Sequence, residues 1–221
     1  MQFFAVAPAA GQSRRMGQPK LLLPMTVRSD AGSRTSLPLI SLTLRAWQAA
    51  RLDAVVTVVR KGDLALAAAC RAEGAVVIQP EEDPLDMKAS VWLALEFLRQ
   101  EFSPAGEDCW MLAPADMPLL PPAAIRALMD AYRASPGRIV APTCCGKRAH
   151  PTAFPWSLAQ EVVRLGPKQG VKSLLERFEV VELPRPDTEA LGAFTDVDTP
   201  EQYQKVQAAM DELLTDESEN P

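Results

Sequence analysis

At 221 residues the chain has room for one large domain, or at most two small ones. Its 48% hydrophobic content can build a sizeable core, and no apolar run reaches the length that crosses a bilayer. The net charge of −5 argues against a general nucleic-acid binder, whose basic footprint would show in the total. Any positive patch must therefore be local.

The first residues, MQFFAVAPAAG, run straight into a basic loop and lack the basic n-region and long apolar stretch of a secretion signal. A cytoplasmic location is therefore expected. Short apolar runs rich in Val, Ile, Phe or Leu predict strands at 2–7, 54–59, 75–78, 109–113, 138–141 and 180–183. Segments with helical spacing lie between most of them, at 37–50, 64–72, 90–102 and 122–134. On the third of these, Val91, Leu95, Leu98 and Phe102 share one face beside Ala94. The fourth opens with prolines, which a first helical turn tolerates. A last helix is expected from Pro200 to about Leu214, with Thr199 as its N-cap. Residues 25–36 read as an exposed loop, and 215–221 as an acidic, frayed tail behind a single domain spanning 1–214. Strands alternating with helices predict an α/β fold, a mostly parallel sheet with helices on both faces. In such sheets ligands sit beyond the carboxyl ends of the strands.

The four cysteines, Cys70, Cys109, Cys144 and Cys145, form no C-x-x-C pair, and the single histidine, His150, cannot complete a common zinc set. Cys109, in an apolar run, reads as a buried small hydrophobe, and the adjacent Cys144 and Cys145 as reduced thiols of a cytosolic protein.

Three segments carry chemistry. The loop APAAGQSRRMGQPK follows the first strand. It fits neither G-x-x-x-x-G-K-[ST] nor G-x-G-x-x-G. Its small residues Ala9, Ala10 and Gly11 would let backbone N–H groups approach an anion, and Arg14, Arg15 and Lys20 add charge that suits phosphate oxygens. A solvated basic turn is the plainer reading of this loop alone. In PADMPLL, Asp116 stands just beyond an apolar strand. It suits Mg²⁺, which binds through one or two carboxylates plus substrate phosphates, though Asp is also a common turn residue. FTDVDTPEQY offers Asp196 and Asp198 just before the last helix. Cations, a carboxylate after a strand and a distant second carboxylate are the parts of a phosphoryl-type transfer site.

PAAGQSRRMGQPKLLLP resembles the signature L-A-[AG]-G-x-S-x-R-M-G-x-x-K of the MobA-like nucleotidyltransferases. PADMPLL is similar to the family's G-D-M-P segment, and DVDTPEQY to its D-[IV]-D-T-P ending. The Ala-Ala-Gly form and the KLLLP continuation look most like molybdenum cofactor cytidylyltransferases. The resemblance implies a Rossmann-like, three-layer fold and transfer of a nucleotide, CMP above all, from NTP to a phosphorylated acceptor such as molybdopterin. It implies that Pro8, Ala9, Ala10, Gly11, Ser13, Arg15, Lys20, Gln79 and Ser90 bind the nucleotide. By the same resemblance Lys20, Arg15 and Asp116 are catalytic, and Asp116 with Asp198 holds Mg²⁺. Arg148, His150 and Lys172 would receive the acceptor. A molybdoenzyme or maturation partner would take the product; the helices carry no sustained heptad pattern, so a monomer is expected. Transfer to a sugar phosphate, or a non-catalytic cofactor-delivering module, are the alternatives.

The sequence departs from the family pattern in places. Pro8 stands where a Leu is usual, Ala115 and Asp86 where glycines are, and Lys88 where a serine is. On the acceptor side Ala149 replaces a glycine, Pro167 an aspartate and Lys172 an arginine. The nucleotide half is the better match.

Overall fold

The computed structural model describes residues 1–28, 33–185 and 196–216, with side chains to 212. In chain order it forms β1 (Phe3–Pro8), β2 (Pro24–Arg28), β3 (Arg34–Pro38), α1 (Leu39–Ala49), β4 (Ala54–Val58), α2 (Leu64–Ala72), β5 (Val76–Ile78) and α3 (Met87–Phe102). There follow β6 (Cys109–Leu112), α4 (Pro122–Ala134), β7 (Ile139–Cys144), β8 (Lys147–Arg148), β9 (Thr152–Pro155), α5 (Ala159–Arg164), α6 (Leu174–Arg177), β10 (Val180–Pro184) and α7 (Pro200–Asp216).

The main sheet runs β10-β7-β9-β6-β1-β4-β5, with β8 paired to β7. Pairing is parallel from β6 through β1 and β4 to β5. β9 lies antiparallel between β6 and β7. Alternation along β1 divides the core. Phe3, Ala5 and Ala7 face α1, α2 and α4, while Phe4 and Val6 face α3, α5 and α6. Burial on both faces is why these strands read as continuous apolar runs rather than alternating ones. The expected mostly parallel, three-layer α/β architecture is what forms.

Two expectations are corrected. Residues 25–36 are not simply an exposed loop. β2 and β3 pair antiparallel there, and Met25 and Val27 are buried while their neighbours are not. The Tyr203 hydroxyl of α7 donates to the Pro24 carbonyl, and Thr26 N–H donates to Gln207 Oε1 at 3.3 Å, so the last helix holds the hairpin down. α3 begins at Met87, before Ser90, because the Asp86 carboxylate accepts from Ala89 N–H at 2.8 Å and caps it. Of the expected tail, residues 217–221 lie outside the described residues, as do Phe194 and Thr195 of the third segment.

Candidate active site

The loop after β1 is shaped by its own polar groups. Ser13 takes a left-handed backbone with φ 49°, and its hydroxyl accepts from Lys20 N–H at 3.3 Å. Gly17, at φ 65°, closes the turn between them, a conformation that suits glycine. Ala9 N–H is taken by the Val58 carbonyl at 2.9 Å. Those of Ala10 and Gly11 bond to no other described residue, and a side chain added at Gly11 would meet open space. The loop thus presents two spare backbone donors to a cleft of about 440 Å³.

Opposite them stands Asp116, four residues beyond β6 and only 6% exposed. Its loop is tied to the third segment by Val197 N–H, which donates to the Asp116 carbonyl at 3.0 Å. Val197 is wholly buried, so its neighbours diverge. Asp198 turns toward Lys20, and Asp196 toward a cavity that His150 also lines. Gln202 fixes this stretch. Its Oε1 accepts from the N–H groups of Asp198 and Thr199 at 2.8 and 2.9 Å, while Thr199 Oγ1 accepts from Gln202 N–H at 3.3 Å. That reciprocal cap starts α7 and aims Asp198.

Lys20 Nζ lies between the two carboxylates. It donates to Asp116 Oδ2 and, at 2.8 Å, to Asp198 Oδ1, while Arg15 holds Asp198 Oδ2 at 2.7 Å. Burial disfavours the ammonium, yet the charges and hydrogen bonds of Asp116 and Asp198 outweigh it and hold Lys20 above its ordinary pKa. Burial lifts the Asp116 carboxyl above the usual carboxylate range, against Lys20 and with help from Asp196. Asp198 goes the other way: burial opposes its ionisation, but Lys20 and Arg15 prevail. Asp116 Oδ1 is buried with no hydrogen-bond partner among the described residues. Two carboxylates from distant segments, an orphaned oxygen and an ammonium already bridging them suit a hard divalent cation completed by phosphate oxygens. No group of three or more His, Cys, Asp or Glu able to hold a metal occurs among the described residues. Such an ion would be completed by water or by substrate oxygens.

Other residues named from sequence fall in three places. Pro8, Ala9, Ala10, Gly11, Ser13, Lys20, Ser90 and Asp116 line the cleft, and so does Arg14, which bonds to Gln12 Oε1. Arg15 lines a smaller adjoining space with Lys20 and Asp198. Gln79 does not reach the cleft: its amide donates to the Arg60 and Lys61 carbonyls and accepts from Arg71. Ala115 has no positive φ, so the missing glycine costs no backbone strain. Lys88 turns away and donates to the Leu165 and Gly166 carbonyls at 3.3 and 3.0 Å.

On the acceptor side, Lys147, Arg148, His150 and Asp196 line a separate cavity of about 320 Å³. His150 Nδ1 lies 3.3 Å from the Leu112 carbonyl, which leaves Nε2 for a ligand when Nδ1 carries the proton. The Arg148 guanidinium is engaged by Glu182 and by the Leu175 carbonyl. Lys172 is exposed in a 3-10 turn and does not line the cavity. Among the cationic lining residues, Lys147 and Arg60 were missed in the sequence. The signal for Arg60 was there: a charged residue just beyond an apolar strand, the logic that singled out Asp116.

A MobA-like NTP transferase domain model matches residues 5–183. The chain belongs to that family. Among solved structures, Rv0371c from Mycobacterium tuberculosis H37Rv is 27% identical with a TM-score of 0.75, covering 94% of this chain and 98% of that one. A structure of Rv0371c in complex with manganese is 25% identical at a TM-score of 0.71, covering 95% and 100%. The fold recurs in a CMP:2-keto-3-deoxy-manno-octonic acid synthetase complexed with CTP, at 17% identity, a TM-score of 0.70 and coverage of 96% and 100%. It recurs again in molybdopterin-guanine dinucleotide biosynthesis protein A from Archaeoglobus fulgidus, at 21% identity, a TM-score of 0.65 and the same coverage. No curated protein matches the chain significantly. The family's nucleotidyltransferase fold is thereby established here. No helix among the described residues is long and apolar enough to cross a membrane.

Proposed function

We propose that this protein is a Mg²⁺-dependent nucleotidyltransferase that moves CMP from CTP to a phosphorylated acceptor such as molybdopterin. An acceptor phosphate oxygen attacks the α-phosphorus, a new P–O bond forms, and the α–β bridging P–O bond breaks. Its electron pair leaves with pyrophosphate. The observation that carries the reading is Lys20 held between Asp116 and Asp198, beside a loop with spare backbone donors. Lys20, Arg14 and Arg15 neutralise and align the triphosphate, and little covalent work is left to the protein. Asp116 and Asp198 would hold the divalent ion, which supplies charge neutralisation at the phosphates. Manganese in Rv0371c supports a divalent metal, and the CTP-bound synthetase is consistent with a cytidine nucleotide. His150 and Lys147 would meet the acceptor. The buried thiols of Cys70 and Cys109 fit a reducing cytoplasm.

A second reading is transfer to a sugar phosphate. It rests on Asp196, whose carboxylate lines the acceptor cavity and suits hydroxyl groups better than further phosphates.

The test is thermal stabilisation by CTP, GTP, UTP and ATP with and without Mg²⁺, followed by pyrophosphate release in the presence of candidate acceptors. A ligand at 100 times its Kd adds about 2.7 kcal/mol, an easily read shift. Mg²⁺-dependent stabilisation by CTP is expected. Indifference to all four nucleotides would end the transferase reading.

A further inference from the structure

The carboxyl ends of β6, β1, β4 and β5 lie side by side in that order, so the cleft has two ends. At the β6–β1 end stand Asp116, Lys20 and the basic loop, which suit phosphates and metal. The other end, beyond β4 and β5, is lined by Arg60, Asp83, Leu85 and Met87. Leu85 is fully exposed and Met87 largely so, an apolar rim that a flat ring would cover. Arg60 is half-buried there, and its backbone is fixed by the Gln79 amide on its carbonyl. Its guanidinium has one long contact, Nη2 to Asp63 Oδ2 at 3.4 Å. Its Nε is buried and has no partner among the described residues. A guanidinium only donates, so a ligand that satisfies it must bring an acceptor.

Resting on the nucleotidyltransferase reading, we propose that Arg60 determines base specificity by donating to a ring carbonyl oxygen of the nucleobase. Cytosine and uracil offer O2 and guanine offers O6. Adenine has no carbonyl: it offers only ring nitrogens and carries a donating amino group where guanine carries O6, so an ATP base bound in the same place turns a donor toward Arg60. A buried donor without a partner is costly, and hydrogen bonds to charged groups are the stronger kind. The same asymmetry lets a site built around one hydrogen bond reject an analogue that lacks its partner. The basic loop then serves every nucleotide alike, and Arg60 sets the carbonyl-bearing bases apart from adenine.

Titration calorimetry with CTP and with ATP, in Mg²⁺, tests this on the wild type, Arg60→Lys and Arg60→Met. Melts without nucleotide establish that each variant folds. The wild type is expected to bind CTP about tenfold or more tighter than ATP. Both substitutions should weaken CTP by about tenfold or more and leave ATP within about twofold. Arg60→Lys keeps the charge and loses the fork of donors, so a mere phosphate contact would survive it. An equal loss for CTP and ATP, or no loss for either, overturns the assignment of Arg60 while the transferase reading stands. A wild type that binds neither nucleotide overturns both.

Discussion

The two halves of the site are built on different principles. On the nucleotide side, opposite charges from three distant segments close on one another: Lys20 meets Asp116 and Asp198, and Arg15 meets Asp198. On the acceptor side Lys147 and Asp196 line the cavity, but the other cations are engaged or turned away. Arg148 pairs with Glu182, and Lys172 faces solvent. A triphosphate with its metal is the same object in every reaction of this kind, so its partners must meet in a fixed geometry. An acceptor differs between reactions, and the residues around it are free to change. The better sequence match of the nucleotide half follows from that difference.

The sharpest way to break the comparison is Asp116→Asn. It keeps the shape and removes a desolvated charge, so pyrophosphate release should fall by about a hundredfold or more. The melting temperature in EDTA should not fall, because burial of this carboxylate is itself unfavourable. Equal activity would remove Asp116 from the site.

Lys20→Met attacks the same cluster from its cationic side. Two carboxylates would then face each other across a partly buried gap, at a cost of about 3 kcal/mol in EDTA. Mg²⁺ should restore much of it, read as a rise in melting temperature larger than the wild type shows. Without that rise, the gap is no cation site.

The ion pairs of Asp198 can be tested by pH. Its folded pKa is depressed by Lys20 and Arg15, so its contribution is fully present above the unfolded carboxylate value of about 4. That contribution disappears as the pH falls through the lower folded value. Urea melts of wild type and Asp198→Asn should therefore differ at pH 7 and converge in acid. A gap independent of pH would mean that Asp198 stabilises by shape rather than by charge.

The smallest effects belong to the acceptor side. Arg148→Ala, which removes an exposed pair, should change acceptor KM only a few-fold and stability by less than about 1 kcal/mol. Lys172→Ala should change neither. Steady-state kinetics at saturating nucleotide separates them, and a large effect at Lys172 would mean that its turn closes over the acceptor.

Much of this was legible in the chain. The parallel strands announce themselves because burial on both faces leaves them unbroken apolar runs, and the helices because one face must repeat about every 3.6 residues. Asp116 and Lys20 could be picked out by position and company alone. β9 could not, since TAFP between two strands gives no sign that the chain reverses and inserts between β6 and β7. The β2–β3 hairpin left only a faint trace in the alternation of Met25 and Val27. Gln79 and Lys172 were named from the family resemblance, and their contacts are set by neighbours that the resemblance does not specify.

Sequence by itself therefore determined the layers, the cationic loop and the place of Asp116 just beyond its strand, because each depends on local periodicity or on residues adjacent along the chain. Tertiary structure alone decided that Lys20 would bridge carboxylates 96 and 178 residues away, that Asp196 and Asp198 would serve different cavities, and that Arg60 would stand at the far end of the cleft. Those are matters of which strand ends become neighbours, and strand order is fixed by long-range pairing whose partners no short stretch of sequence specifies.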